Sequence, residues 1–271
     1  MLRYALIFVV ISALAEESAY NAAIAKWREQ KEAELKADGG WLTVTGLFWL
    51  TEGVTRMDSA SGVFALHDGK AIFRGDDGSA VEMKPETKLT VGARTFSVIE
   101  RAGRYGVRLK DNHSKLREEF RGQRWFPVNE LYRVTARFVS YDQPKPIAVP
   151  NILGSSYQET SPGYAVFTLH GRELRLEPVT EDKRLFFIFR DQTAGHETYG
   201  AGRFLYAESP RDGKVELDFN KAENPPCAFT PYATCPLPPR QNVLAVRIEA
   251  GELAPARGEH AREIADSHRR E

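Results

Sequence analysis

Cysteine is scarce: the 271 residues contain two, Cys227 and Cys235, with seven residues and no histidine between them. Structural zinc takes four Cys or His ligands, commonly in close pairs, so this spacing argues against a metal site. Charge imbalance is absent as well, with 37 Lys plus Arg against 37 Asp plus Glu, and no net field pulls the chain toward nucleic acid or an anionic membrane surface. No G-x-S-x-G elbow, Walker-type loop or H-E-x-x-H pair occurs. The stretch from His196 begins like the zinc motif, but Gly200 stands where the second ligand belongs. Gly200 to Gly202 is too short a glycine pattern for a dinucleotide fingerprint, which also needs a βαβ setting. No cofactor is expected.

One apolar run stands out. Arg3 supplies a short positive start, Ala5 to Leu14 an apolar core, and Ala13-Leu14-Ala15 a small-x-small cleavage site. Glu16 and Glu17 end the run well short of the ~20 residues a membrane span needs. The sequence therefore predicts a signal peptide over 1–15, no stable membrane insertion after cleavage, and a secreted or periplasmic mature protein. An oxidising location favours a Cys227–Cys235 disulfide, and closing a loop of about nine residues stabilises by roughly 2.5 kcal/mol.

Tyr20, Ile24, Trp27, Lys31 and Leu35 recur at spacings of three or four, predicting an amphipathic helix within 16–40, capped at Ser18 and stopped by Gly39-Gly40. From Trp41 the texture changes to short alternating or apolar runs at a spacing near ten, separated by turn signals at Asp68-Gly69, Asp76-Asp77-Gly78, Gly103, His170-Gly171 and Asp212-Gly213. The fold class is mainly β: an N-terminal helix followed by antiparallel sandwich or barrel-like units. The proline-containing stretch 141–156 divides a first unit, 41–140, from a second, 141–252, and 253–271 is a polar tail. The aromatics between Trp41 and Leu50 read as core.

Polar residues gather late in the chain, each after an apolar strand, where loops on rigid scaffolds place binding groups. Thr198, Tyr199, Arg203, Asp218, Asn220 and Asn224 form the candidate ligand site, with Arg203 as fixed cation, Asp218 and Asn220 orienting it, and Tyr199 as a wall. Prolines around the two cysteines stiffen its rim. The expected partner is a small polar or anionic ligand. A hydrolase or lyase using Asp191 or Asp218 as acid or base is the alternative. Read singly, the same side chains also suit a structural role, capping turns or pairing Arg203 with a carboxylate.

Several longer blocks are compositionally distinctive: Trp27-Arg28, residues 40–53, 120–128 (FRGQRWFPV), 197–205 (ETYGAGRFL), 218–242 and the closing AGE at 250–252. In these the chain resembles the bacterial and archaeal family catalogued as domain of unknown function sixteen-eighty-four. The resemblance implies a β-rich fold and a shared C-terminal site, and brings no reaction with it.

Overall fold

A computed structural model describes residues 2–57, 60–85 and 87–256, with side chains described from residue 16 onward. The cleavage-site side chains and most of the polar tail lie outside that set. The chain is mainly β, built from antiparallel sheets that stay open, none closing into a barrel.

Helix α1 runs Leu2–Lys36 without interruption, so Ser18 lies inside it and does not cap it. Its expected stripe is the docked one: Ile24 and Leu35 are buried, while Tyr20, Trp27 and Lys31 are half-buried beside them. Trp27 meets Trp125 edge to face at 5.6 Å, and the Arg28 guanidinium lies over the same Trp125 ring. No described helix is long and apolar enough to cross a membrane.

The first β unit holds β1 (Val44–Trp49), β2 (Gly53–Arg56), β3 (Gly62–His67), β4 (Lys70–Gly75), β5 (Ala80–Glu82), β6 (Lys88–Val91), β7 (Arg94–Arg101) and β8 (Arg104–Asp111). They form two sheets, ordered β1-β8-β7-β6 and β2-β3-β4-β5. Between them Phe64, Phe73, Phe96, Val98 and Val107 make one core. Of the front aromatics, Phe48 is exposed and Trp41 and Trp49 are half-buried, so the expected core role falls instead to Leu42, Val44 and Leu50. Residues 112–132, with the one-turn helix α2 (Lys115–Glu118), lead to the second unit.

That unit contains β9 (Arg133–Pro150), β10 (Ser156–Leu169), β11 (Arg172–Leu176), β12 (Val179–Glu181), β13 (Arg184–Phe189), β14 (Arg203–Ala207) and β15 (Lys214–Asp218). Its sheets are ordered β11-β10-β9-β15 and β12-β13-β14. The expected division at 140 falls inside β9, and the prolines of 141–150 belong to a strand. Strand β15 pairs only with Arg133–Arg137, whereas β10 pairs with β9 through Pro150. The far half of β9 is thus a one-sided edge, where a residue lacking an N–H costs no ladder bond.

Strand β13 is buried on both faces, which explains its unbroken RLFFIF run. Leu185, Phe187 and Phe189 enter the central core with Phe167, Leu217 and Phe219, and Phe186 and Ile188 enter a second cluster with Phe204, Cys227 and Cys235. The predicted turns stand where Asp68-Gly69, His170-Gly171 and Asp212-Gly213 take left-handed backbone at both positions, as tight hairpins require.

Candidate functional site

The late polar residues separate into three groups. Arg203 opens β14 at 1 % exposure, donating from Nη1 to the Ala250 carbonyl and from Nη2 to Ile248 O (3.0 Å) and Asp191 Oδ1 (3.2 Å). Asp191 also accepts from Ile248 N at 2.7 Å and from the Thr193 hydroxyl, which lies 2.8 Å from Thr198 Oγ1. Burial pushes the guanidinium down from its ordinary value and Asp191 opposes that. Arg203 and Thr198 thus sit in a buried network that clamps residues 248–250 onto β13 and β14, away from the cleft between the units, with Arg203 Nε left without a hydrogen-bond partner.

Asp218 and Asn220 make the second group. Tyr20 Oη donates to Asp218 Oδ1 (2.8 Å), Asn220 Nδ2 donates to Tyr20 Oη (3.0 Å) and to Asn129 O (2.9 Å), and Asn129 N donates to Asn220 Oδ1 (2.9 Å). They fasten α1 and the 112–132 segment to the second unit. Burial, then the Asp218 hydrogen bond, raise the Tyr20 phenol well above its usual range.

Tyr199, Asn224 and the cysteines form the third group. The expected Cys227–Cys235 bridge is not formed; both are free, buried thiols, and Cys227 N donates to Cys235 Sγ at 3.2 Å. The Cys235 contact holds the Cys227 thiol below its ordinary value, while burial pushes Cys235 up. The loop keeps its shape by other means: Tyr199 Oη donates to Cys227 O (3.0 Å), Thr230 Oγ1 to Val44 O (2.9 Å), and residues 227–230 are buried.

A cleft of about 800 Å³ lies between the two β units. The outer face of β12-β13-β14 supplies its floor through Val179, Phe186, Ile188, Phe204 and Tyr206; α1 with Lys31 and Leu35 forms one wall; the β7–β8 turn at Arg101 and the loop from Glu223 to Pro236 form the others. Arg101 Nε donates to Thr234 Oγ1 (3.2 Å), joining two of these walls. Of the sequence-predicted ligand residues, Asn224 reaches this cleft, and so does Cys235.

At its inner end Glu252, 1 % exposed, holds two lining residues at once: Gln123 Nε2 donates to Oε1 (3.0 Å) and Asn224 N donates to Oε2 (2.7 Å). Asn224 Nδ2 is engaged by Leu253 O at 2.8 Å. Both amide oxygens, Gln123 Oε1 and Asn224 Oδ1, are buried without a donor. Glu223 stands beside them, paired with Lys31 (3.3 Å), which also pairs with Glu34 (3.4 Å). Burial pushes the Glu223 carboxyl up, Lys31 opposing, and lifts Glu252 to about 7. Five lining carboxylates, Glu34, Glu100, Glu159, Glu181 and Glu223, face three lining cations.

Gln123, Glu223 and Glu252 were not among the predicted site residues. The signal for them lay in the distinctive sequence blocks, since FRGQRWFPV, ENPPC and AGE carry all three. Among the described residues one trio of metal-type side chains gathers, Glu52, His67 and Asp68, all exposed on the first unit.

The model of the family described as Protein of unknown function (DUF1684) matches residues 118–253. Among solved structures, the solution NMR structure of the uncharacterized protein from gene locus rrnAC0354 of Haloarcula marismortui is similar at 31 % identity, covering 51 % of this chain and 78 % of that one, with a TM-score of 0.43. No curated protein matches.

Proposed function

The chain belongs to the DUF1684 family, and we propose that it is an extracytoplasmic protein that binds a small polar ligand in the cleft between its two β units. One observation carries the reading: a cleft of about 800 Å³ is lined by Gln123 and Asn224, two residues that Glu252 holds in place with one carboxylate. The cleft volume lies in the range of small-molecule sites, and its apolar floor with few polar groups at one end has their composition. The excess of lining carboxylates favours the polar half of the expectation over the anionic half.

In the oxidising compartment that the leader sequence predicts, Cys227 and Cys235 close to a disulfide, losing two protons and two electrons to that compartment's thiol-oxidising system. The Cys227 backbone amide, 3.2 Å from Cys235 Sγ, keeps the two residues close enough to support this pairing. A catalytic role would draw on Glu223, a buried carboxyl at the cleft, because Asp191 and Asp218 are occupied by Arg203, Ile248, Tyr20 and Asn220.

A fragment screen read by amide chemical shifts tests the binding reading. Polar fragments that bind must move the side-chain resonances of Gln123 and Asn224. Hits that all map to the exposed β2 or β5 edges, leaving those two amides still, would overturn it.

A further inference from the structure

The sheet β11-β10-β9-β15 buries one face and leaves the other open. Alternation along its strands turns Ala136, Phe138, Ala165 and Val215 into the core and Arg137, Val166, Arg175 and Lys214 outward. Helix α1 meets this outer face at its Asp218 end, through Tyr20. The pairing register then brings side chains from different strands into one line. Arg211 faces Lys214 across the Asp212-Gly213 turn, Lys214 pairs with Arg137, Arg137 with Val166, and Val166 with Arg175. Four of these five positions are cationic, all four cations are exposed, and no position in the row is acidic. At about 4.8 Å per strand the row is roughly 20 Å long.

Like charges directly opposite each other weaken an antiparallel pair, and this row holds two such pairs, Arg211 with Lys214 and Lys214 with Arg137. Among the described residues no hydrogen bond or ion pair engages the side chains of Arg137, Arg211 or Lys214. Arg175, at the far end, is held in place: Nη2 donates to Tyr141 Oη (2.9 Å), the guanidinium lies 3.6 Å over the Tyr164 ring, and Glu177 stands 3.7 Å away. The next outward row carries Thr168 opposite Glu173 and Thr135 opposite Glu216, and Glu216 is already bound by Arg133 at 2.8 Å. A line of cations thus runs beside a line of hydroxyls and carboxylates.

We propose that this face binds an acidic polysaccharide laid along the row, with its anionic groups on Arg211, Lys214, Arg137 and Arg175 and its hydroxyls on Thr135 and Thr168. A flat row of strand-spaced cations suits a chain of repeated charges better than a single small anion, which would use one or two of them. A nucleic acid would need free ring faces for its bases, and the two tyrosine rings of this face, Tyr141 and Tyr164, are already covered by Lys145 at 4.1 Å and Arg175 at 3.6 Å. A membrane surface would be met by protruding apolar side chains, whereas Val139 and Val166 are half-buried between the cations. Sugar hydroxyls both donate and accept, so they match threonine hydroxyls and the Glu173 carboxylate alike. None of the row residues lines the cleft, and the assignment stands apart from that of the cleft ligand.

Titration of the full chain with polygalacturonate oligomers, read by calorimetry and by amide chemical shifts, tests the assignment, with dextran of matched length as the uncharged control. Polygalacturonate is expected to move the amides of Arg137, Val166, Arg175 and Lys214 and to bind less tightly as salt rises, because each contact releases counterions; dextran should not bind. Arg137→Gln combined with Lys214→Gln should weaken polygalacturonate at least about tenfold. The same double variant should melt no lower than the wild type, since it relieves an opposed like-charge pair, whereas a structural role for the two cations would lower its Tm. Binding that survives the double variant, shifts confined to Gln123 and Asn224 in the cleft, or no binding at about 50 mM salt would each overturn the proposal. A single-stranded oligonucleotide or phosphatidylglycerol vesicles binding through Arg137 and Lys214 more tightly than polygalacturonate would overturn the polysaccharide assignment and give the face to that partner.

Discussion

Arg203→Met separates a clamp from a ligand cation. The replacement is of similar length and can fill most of the space, so the cavity contribution is small. What it removes is the partner of Asp191, whose side chain is 1 % exposed. Asp191 would keep its bonds from Ile248 N and Thr193 but lose the charge at 3.2 Å, and the carbonyls of Ile248 and Ala250 would lose their guanidinium donors. Removing one member of a buried pair costs about 3–5 kcal/mol, because the other charge is left uncompensated. For a protein of this size that corresponds to a fall in Tm of roughly 6–20 °C. Asp191→Asn added to Arg203→Met should restore part of the loss, giving a coupling of at least ~2 kcal/mol in a double-mutant cycle measured by urea denaturation with unchanged slope. Affinity for any cleft ligand should be unaffected wherever the variant is folded. A stability loss under ~1 kcal/mol, or strict additivity with Asp191→Asn, would refute the clamp.

Two further outcomes follow from the same contacts. Glu252 titrates near 7 when folded against an ordinary 4.5, so between those values the folded state holds a proton that the unfolded chain has released, and this group's contribution to stability falls as pH rises through that window, by up to about 3 kcal/mol; urea midpoints at pH 5, 6 and 7 should show the wild type losing ground relative to Glu252→Gln, and parallel curves would contradict the assignment. Protein recovered from an oxidising compartment should show no free thiol when titrated under denaturing conditions, against two in protein made under reduction, and two thiols in the exported material would remove the disulfide.

The architecture was legible because the strands announce themselves twice, in composition and in punctuation. Asp-Gly and His-Gly pairs can adopt the left-handed conformation of two-residue hairpins at little cost, and they do so at 68–69, 170–171 and 212–213. The α1 stripe was legible for the same kind of reason, a period that only one surface can satisfy. The seam at 141–156 misled because proline reports a missing donor and not an absent strand. Which side of β9 lacks a neighbour is decided by where β15 ends, and that is a tertiary fact.

The site was legible in part, and the reason lies in what a polar residue on a strand end can do. Arg203, Asp218 and Asn220 looked like ligand groups because a buried cation or carboxylate needs several fixed partners, and an assembly of fixed partners is also what a binding site looks like from sequence. The two cases differ in whether the group is turned into the chain or lines the cleft between the units. For Asp191 and Asn220 the matches are internal, through Ile248, Thr193, Tyr20 and Asn129, and some of those partners lie up to 200 residues away in sequence. Gln123 and Asn224 are instead held by one carboxylate, Glu252, and both line the cleft of about 800 Å³. Position at a cleft, more than polarity or rigidity, is what marks a place able to receive another molecule. It becomes visible only after Glu252, at the far end of the described chain, has folded back to hold both residues in position.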